Sequence, residues 1–232
     1  MIRTIPALAA VALFAASAPV ALAAAETFRA RGNEPFWSVE KTAEAIVFRP
    51  MEGEPVTVAP TPEPRIDGKA EIYEATAGGR PFALTIADTV CADTMSGMPL
   101  PNTVTVTIGG DTFAGCGGEP VTLLLGEWMI AEIDGKAPVT GSTPTLAFDA
   151  DGKLNGNGSC NRFFGGYTLS GEGLTIAEVG SSMMACEEPV MAQEMLFLDV
   201  LKSVSRFEIG ADGALILHDD GGSRTIVARP MA

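Results

Sequence analysis

Four cysteines, arranged as two pairs with nearly equal spacing, constrain the fold more than any other feature of this sequence. Cys91 and Cys116 are 25 positions apart, and Cys160 and Cys186 are 26 positions apart. Four cysteines allow three disulfide connectivities. The close pairs fall in separate parts of the chain, which favours Cys91 with Cys116 and Cys160 with Cys186. Each disulfide would then stabilise a small domain by about 3 kcal/mol.

The first 23 residues have the layout of a secretory signal peptide. Arg3 precedes an apolar run over 5–20, which ends in the small residues Ala21-Leu22-Ala23. A membrane anchor is the alternative, but Pro6 and Pro19 interrupt the run and a cleavage-like motif ends it. We therefore predict cleavage after Ala23 and a periplasmic protein. Because disulfides persist in that compartment, the cysteines are predicted to be structural, with no metal-binding or nucleophilic role.

Composition excludes several classes of function. The chain has 15 Lys and Arg against 29 Asp and Glu, a net charge of −14, so a nucleic-acid-binding role is not expected. With 47% hydrophobic and 19% charged residues, the chain can bury a core and is predicted to be folded. The single histidine, His218, is too few for most hydrolytic or metal constellations. We predict a monomer that is not an enzyme, does not span a membrane and holds no cofactor or metal.

Short segments with period-two alternation dominate both halves of the chain. In 103–108, for example, valine and isoleucine alternate with threonine, as on a strand with one buried face. A glycine-rich stretch at 115–120 is the predicted boundary between a β domain over 24–120 and a second domain over 121–232. The predicted strands are 36–41, 44–49, 55–59, 70–76, 81–87, 103–108, 123–133, 145–148, 153–155, 163–169, 174–179, 206–209, 214–217 and 223–228.

One segment, 189–204, has a helical period. Glu187 and Glu188 precede Pro189, as expected at a helix start. Glu194 falls inside the apolar arc of this helix, where a carboxylate needs a partner. Arg162, beside a half-cystine, is the partner we predict. The fold class is therefore mainly antiparallel β (α+β), with two small β-barrel-like domains and a single packed helix in the C-terminal one.

The C-terminal half resembles the META domain of the heat-shock protein HslJ family. The resemblance rests on several motifs in the family's order: Leu125-Gly126-Glu127-Trp128, Pro144-Thr145-Leu146-Ala147-Phe148, Gly158-Ser159-Cys160-Asn161-Arg162-Phe163-Phe164-Gly165, Met183-Met184-Ala185-Cys186 and the helix that contains Glu194. It implies a compact β-rich domain with a packed helix, exported to the bacterial envelope and associated with heat or envelope stress and with antibiotic tolerance. It implies no catalytic residues.

The N-terminal half resembles an uncharacterised exported domain. The matching motifs are Gly32-Asn33-Glu34-Pro35-Phe36-Trp37-Ser38-Val39, Cys91-Ala92-Asp93-Thr94-Met95-Ser96-Gly97 and Gly115-Cys116-Gly117-Gly118. This resemblance implies an exported domain and assigns no activity.

The sequence thus predicts a non-enzymatic envelope protein that acts by binding an envelope protein or a cell-wall component. Two alternatives stay open. The acidic charge would suit an inhibitor of a cationic enzyme such as lysozyme, and a small-ligand-binding module could line its pocket with Trp37, Asn33, Arg162 or Trp128. Besides the cysteines, the candidate structural or binding residues are Asn161, Arg162, Glu194, Asn33, Trp37, Asp93 and Trp128.

Overall fold

The computed structural model describes residues 27–231, so the predicted signal peptide lies outside the described residues. These residues form two large antiparallel sheets, a small two-stranded sheet and one α-helix. The first half contains β1 (Phe28–Asn33), β2 (Phe36–Lys41), β3 (Ile46–Pro50), β4 (Val56–Val58), β5 (Arg65–Asp67), β6 (Ala70–Ala77), β7 (Arg80–Ala87), β8 (Cys91–Ala92), β9 (Pro99–Leu100), β10 (Asn102–Ile108) and β11 (Asp111–Gly117).

Nine of these strands make a half-barrel sheet in the order β4-β3-β2-β1-β11-β10-β7-β6-β5. Strands β8 and β9 pair separately. The valine and isoleucine residues that alternate with threonine in 103–108 all lie on one face of β10. On that face Val104, Val106 and Ile108 are buried in the core of the half-barrel. The core also holds the aromatic rings of Trp37 and Phe48, whose centroids are 5.8 Å apart.

Strands β1, β5, β8, β9 and β11 were not predicted, and the glycines of β11 were interpreted as part of the domain boundary at 115–120. The glycines of β11 allow its backbone to approach β1 closely. A Cβ at Gly115 would lie 2.1 Å from the carbonyl oxygen of Arg31, and one at Gly117 would lie 2.7 Å from the Cβ of Ala30. Only glycine lets β11 lie this close to β1.

The second half begins with a 3-10 turn, Pro120–Leu123, and the strand predicted at 123–133 begins only at Gly126. Its other elements are β12 (Gly126–Ile133), β13 (Thr145–Phe148), β14 (Lys153–Asn157), β15 (Arg162–Ser170), β16 (Gly173–Ser181), α1 (Glu188–Ser203), β17 (Val204–Ile209), β18 (Leu215–Asp219) and β19 (Thr225–Pro230). The sheet order is β16-β15-β14-β13-β12-β19-β18-β17. The end strands β16 and β17 contact each other, so this sheet is a nearly closed barrel.

Helix α1 packs into that barrel, in the place that the 189–204 pattern predicts. Phe197, Val200 and Leu201 are fully buried, and the Phe197 ring meets the Phe163 ring edge-on with the centroids 5.5 Å apart. Each of these side chains contributes about 1.5–3 kcal/mol by leaving water. The predicted fold class, antiparallel β with one packed helix, is confirmed.

Both predicted disulfides are also confirmed. Cys91–Cys116 ties the two-stranded sheet to β11, with the Cα atoms 5.5 Å apart. Cys160–Cys186 ties the turn before β15 to the exposed segment that leads into α1, with the Cα atoms 6.0 Å apart. Each half of the chain therefore contains one disulfide bond, and each bond lies close to a cluster of hydrogen-bonded polar side chains.

Candidate functional site

The first polar cluster centres on Asp93, which follows β8 and is 4% exposed. Its Oδ1 accepts hydrogen bonds from the backbone N–H of Met95 (3.1 Å) and from the backbone N–H (2.8 Å) and hydroxyl (2.9 Å) of Ser96. Its Oδ2 accepts from Asn33 (3.3 Å) and from Arg31 (3.4 Å), both on β1. The cysteine-linked loop is thereby fixed to the half-barrel through one carboxylate.

Burial of Asp93 would raise the pKa of its carboxyl. The hydrogen bonds from Ser96, Asn33 and Met95 outweigh that effect, and the pKa falls to about 2. Asp93 is therefore a structural anion at neutral pH, saturated with donors from its own chain.

The loop that Asp93 organises reaches the second half of the chain. The Asp93 N–H donates to the carbonyl of Met98 (2.9 Å), and the Gly97 N–H donates to the carbonyl of Asp93 (2.8 Å). The Met98 side chain then packs against the hydrophobic core of the C-terminal barrel. A small cavity of about 180 Å³ lies beside this contact, between the loop and β17. The motif around Asp93 thus joins the two halves of the molecule.

The second polar cluster centres on Glu194 of α1, which is 7% exposed. Its Oε2 accepts from the backbone N–H of Cys160 (2.9 Å) and of Asn161 (2.6 Å), and its Oε1 accepts from the side-chain amide of Asn161 (2.7 Å). Asn161 Oδ1 in turn accepts from the N–H of Met184 (2.7 Å) and the hydroxyl of Ser182 (2.8 Å). This network fastens the helix, the turn before β15 and the segment before α1 to one another.

The predicted ion pair between Arg162 and Glu194 is wrong. Arg162 is exposed, and it forms no ion pair within residues 27–231. The physical reason is the strand alternation of β15, which turns Arg162 outward while Phe163 points into the core. Glu194 is satisfied instead by Asn161 and by backbone N–H groups.

The two tryptophans lie in the cores, which removes them as pocket-lining residues. Trp37 is 2% exposed and donates from Nε1 to the carbonyl of Ala114 (3.2 Å). Trp128 is 7% exposed and donates to the carbonyl of Leu124 (2.8 Å). Asn33 holds Asp93 and Thr94. Among the sequence-predicted candidates, Asn33 lies with Asp93 and Asn161 lies with Glu194 in two separate clusters, and the candidates do not meet in one site.

Sequence reasoning missed a cleft of about 540 Å³ at the mouth of the half-barrel, where β1 and β10 begin and β2 and β7 end. The cleft also touches the junction between the two halves, at Gly118 and Thr122. Its walls carry three basic and three acidic side chains, namely Arg29, Lys41, Lys69, Glu71, Asp88 and Glu119.

Tyr73 lies behind two of these charges. The Lys41 Nζ sits over its ring, 4.9 Å from the centroid, and its hydroxyl donates to Glu71 Oε2 at 2.5 Å. Burial and the contact with Glu71 raise the pKa of Tyr73, so the phenol stays neutral. The pairing of Glu71 with Tyr73 on one face of β6 follows from their spacing of two, whereas the approach of Lys41 depends on the curvature of the sheet.

Three further observations concern the described part of the chain. Within residues 27–231, no group of three or more His, Cys, Asp and Glu side chains is placed to hold a metal ion. No helix in the same range is both long and apolar enough to cross a membrane. His218 lies in β18 with its Nε2 3.6 Å from Glu208 Oε1.

Comparison with known proteins identifies the second half of the chain. The META domain family matches residues 121–232. A protein from Burkholderia xenovorans, with a structure determined by NMR, is 25% identical over 48% of this chain and 86% of its own, with a TM-score of 0.40. No curated protein matches. The C-terminal half of this chain, residues 121–232, is therefore a META domain.

Proposed function

We propose that this protein is a non-enzymatic protein of the bacterial periplasm, linked to heat and envelope stress and to antibiotic tolerance, and that it acts by binding. The signal-peptide pattern that ends at Ala23 supports export, as do two disulfides of a kind that persists in oxidising compartments. The META domain supports a stress-related role without catalysis.

The observation that carries the proposal is the division of polar groups within the molecule. The carboxylates of Asp93 and Glu194 take their donors from their own chain, so they hold loops and helices in place. The cleft is instead lined by six charged side chains, of which Arg29 alone forms an ion pair, with Glu40, among residues 27–231. A shaped cleft with a few convergent polar groups is typical of a binding site.

A second candidate follows from the charge. A net charge of −14 and a pI near 4.4 would attract a basic partner over a long range, so the protein could inhibit a cationic enzyme such as lysozyme. Attraction of that kind weakens with salt, because exposed charges are screened beyond about 10 Å at 0.1 M ionic strength.

Cross-linked affinity capture tests the proposal. The mature full-length protein is incubated with extract of its own envelope over a salt series, beside an unrelated exported protein of similar net charge. The binding function predicts a partner that is retained at high salt and is absent from the control. Capture of a basic enzyme at low salt only, with inhibition of that enzyme, would favour the second candidate. Nothing retained beyond the control would contradict both.

A further inference from the structure

We infer that the cleft at the mouth of the half-barrel binds a short zwitterionic peptide, with Lys41 receiving its carboxylate and Glu71 receiving its ammonium group. The inference rests on the proposed binding function and names the ligand class of that site. It assigns a role to three residues, Lys41, Glu71 and Tyr73, that no sequence motif singles out.

The first argument is the way Tyr73 separates two opposite charges. The Lys41 ammonium contacts the face of the phenol ring, and the Glu71 carboxylate contacts its hydroxyl. Lys41 and Glu71 form no ion pair with each other or with any other residue of the range 27–231. The Lys41 ammonium and the second carboxylate oxygen of Glu71, Oε1, therefore remain available to a ligand with two opposite charges.

The second argument is that the three groups are ordered before a ligand arrives. Tyr73 is 5% exposed and is held in β6, and Lys41 ends β2 on the other side of the mouth. A cation over an aromatic face and a phenol bonded to a carboxylate each fix a side chain that would otherwise be mobile. Such preorganisation lowers the entropic cost of binding.

The third argument is the charge balance of the walls. The chain as a whole is strongly acidic, yet the cleft carries three basic and three acidic side chains. A simple anion would face the carboxylates, and a simple cation would face the ammonium and guanidinium groups, so a ligand with both charges fits best. The lining also includes the apolar side chains of Phe28, Ile86 and Pro101.

The size of the cleft favours a peptide over a free amino acid. Its volume of about 540 Å³ lies in the range of about 300–1,000 Å³ that is typical of sites for drug-sized molecules. A dipeptide or tripeptide with free ends would place its termini on the charges and a side chain on the apolar wall.

Calorimetric titration of the full mature protein tests the ligand class. The titrants are alanyl-alanine, its N-acetylated form, its C-amidated form and the form with both ends blocked. We expect saturable one-site binding of the free dipeptide and a loss of about tenfold or more when either charge is removed. Equal binding of the free and doubly blocked peptides would overturn the inference, and so would no saturable binding of any peptide.

Two variants assign each end of the ligand. Lys41→Met should weaken binding of the free dipeptide and abolish the advantage of its free carboxylate over the amide. Glu71→Gln should abolish the advantage of the free amine over the acetylated form. Lys153→Met, an exposed change on β14, is the control and should keep both preferences. Thermal unfolding checks that each variant is folded, and the titrations on the unaltered protein decide the question if one is not.

The outcome also separates this inference from the proposed function. If no peptide binds but envelope capture retains a salt-resistant partner, the ligand class is wrong and the binding function stands. If capture also retains nothing beyond its control, both are wrong.

Discussion

Replacement of Glu194 by alanine is the perturbation with the largest predicted effect on stability. The substitution leaves three donors without their acceptor: the backbone N–H groups of Cys160 and Asn161 and the Asn161 amide, at 2.9, 2.6 and 2.7 Å from the carboxylate. Hydrogen bonds to a charged group contribute about 1.5–3 kcal/mol each, and their losses are not additive. We therefore expect a loss of about 3–5 kcal/mol in the free energy of unfolding of the META domain.

Urea unfolding followed by tryptophan fluorescence measures this loss. The protein has two tryptophans, one in each core, so a Trp37→Phe background leaves Trp128 to report on the META barrel alone. Glu188→Ala, an exposed change in the first turn of the same helix, is the matched control. It should cost no more than about 1 kcal/mol.

A double-mutant cycle identifies the partner of Glu194. The changes Glu194→Ala and Asn161→Ala should be coupled by about 0.5–3 kcal/mol, because the two side chains share a hydrogen bond and a network. Glu194→Ala and Arg162→Ala should be additive within about 0.5 kcal/mol. A Glu194→Ala loss below about 1 kcal/mol, or stronger coupling to Arg162 than to Asn161, would refute the reasoning.

Three further predictions concern the other described contacts. The lowered pKa of Asp93, about 2 against 3.8, contributes about 2 kcal/mol that is present above pH 4 and is lost as the pH falls towards 2; urea unfolding between pH 2 and 7 should show the gap between the native protein and Asp93→Asn closing in that window. Met98→Gln should cost about 1–2 kcal/mol and loosen the two halves, while Met95→Gln, at a residue 72% exposed in the same loop, should be neutral within about 0.5 kcal/mol by urea unfolding. Gly158→Ala would bring a Cβ 2.8 Å from the buried carboxylate of α1 and should cost about 1–3 kcal/mol, whereas Gly171→Ala meets open space and should leave the melting temperature nearly unchanged.

Much of the fold follows from patterns that act over a few residues. The alternation in β10 and the helical period of α1 each describe one element, and both elements form as predicted. The cysteine spacing gave the correct disulfides because each pair closes a loop within one half of the chain. Sequence patterns over a few residues are sufficient to predict a strand or helix that makes its core contacts on one face.

The partner of Glu194 was missed because the prediction gave more weight to the positive charge of Arg162 than to the strand alternation of β15. Arg162 is the nearest opposite charge in the turn, but it opens β15 with an outward side chain, whereas Asn161 is buried. A neutral amide that bonds the carboxylate and two further groups satisfies a buried site more fully than one distant cation would.

The cleft could not be predicted because it depends on how the half-barrel curves. Lys41 and Tyr73 belong to β2 and β6, which are not neighbours in the sheet. The contact between Lys41 and Tyr73 across the mouth is a property of the curved sheet, and no spacing along the chain encodes it. The same holds for Met98, whose loop reaches a core built by residues more than twenty positions further along the chain.

Thermal unfolding of the full mature protein, screened against envelope metabolites and antibiotics, tests the central claim most directly. If the protein acts by binding at the cleft, a ligand at about 100 times its Kd should add about 2.7 kcal/mol. For a chain of this size that is a rise in Tm of about 5–10 °C, and the rise should be much smaller in Lys41→Met. No rise with any compound, or an equal rise in Lys41→Met, would contradict the claim that the protein acts by binding a ligand at the cleft.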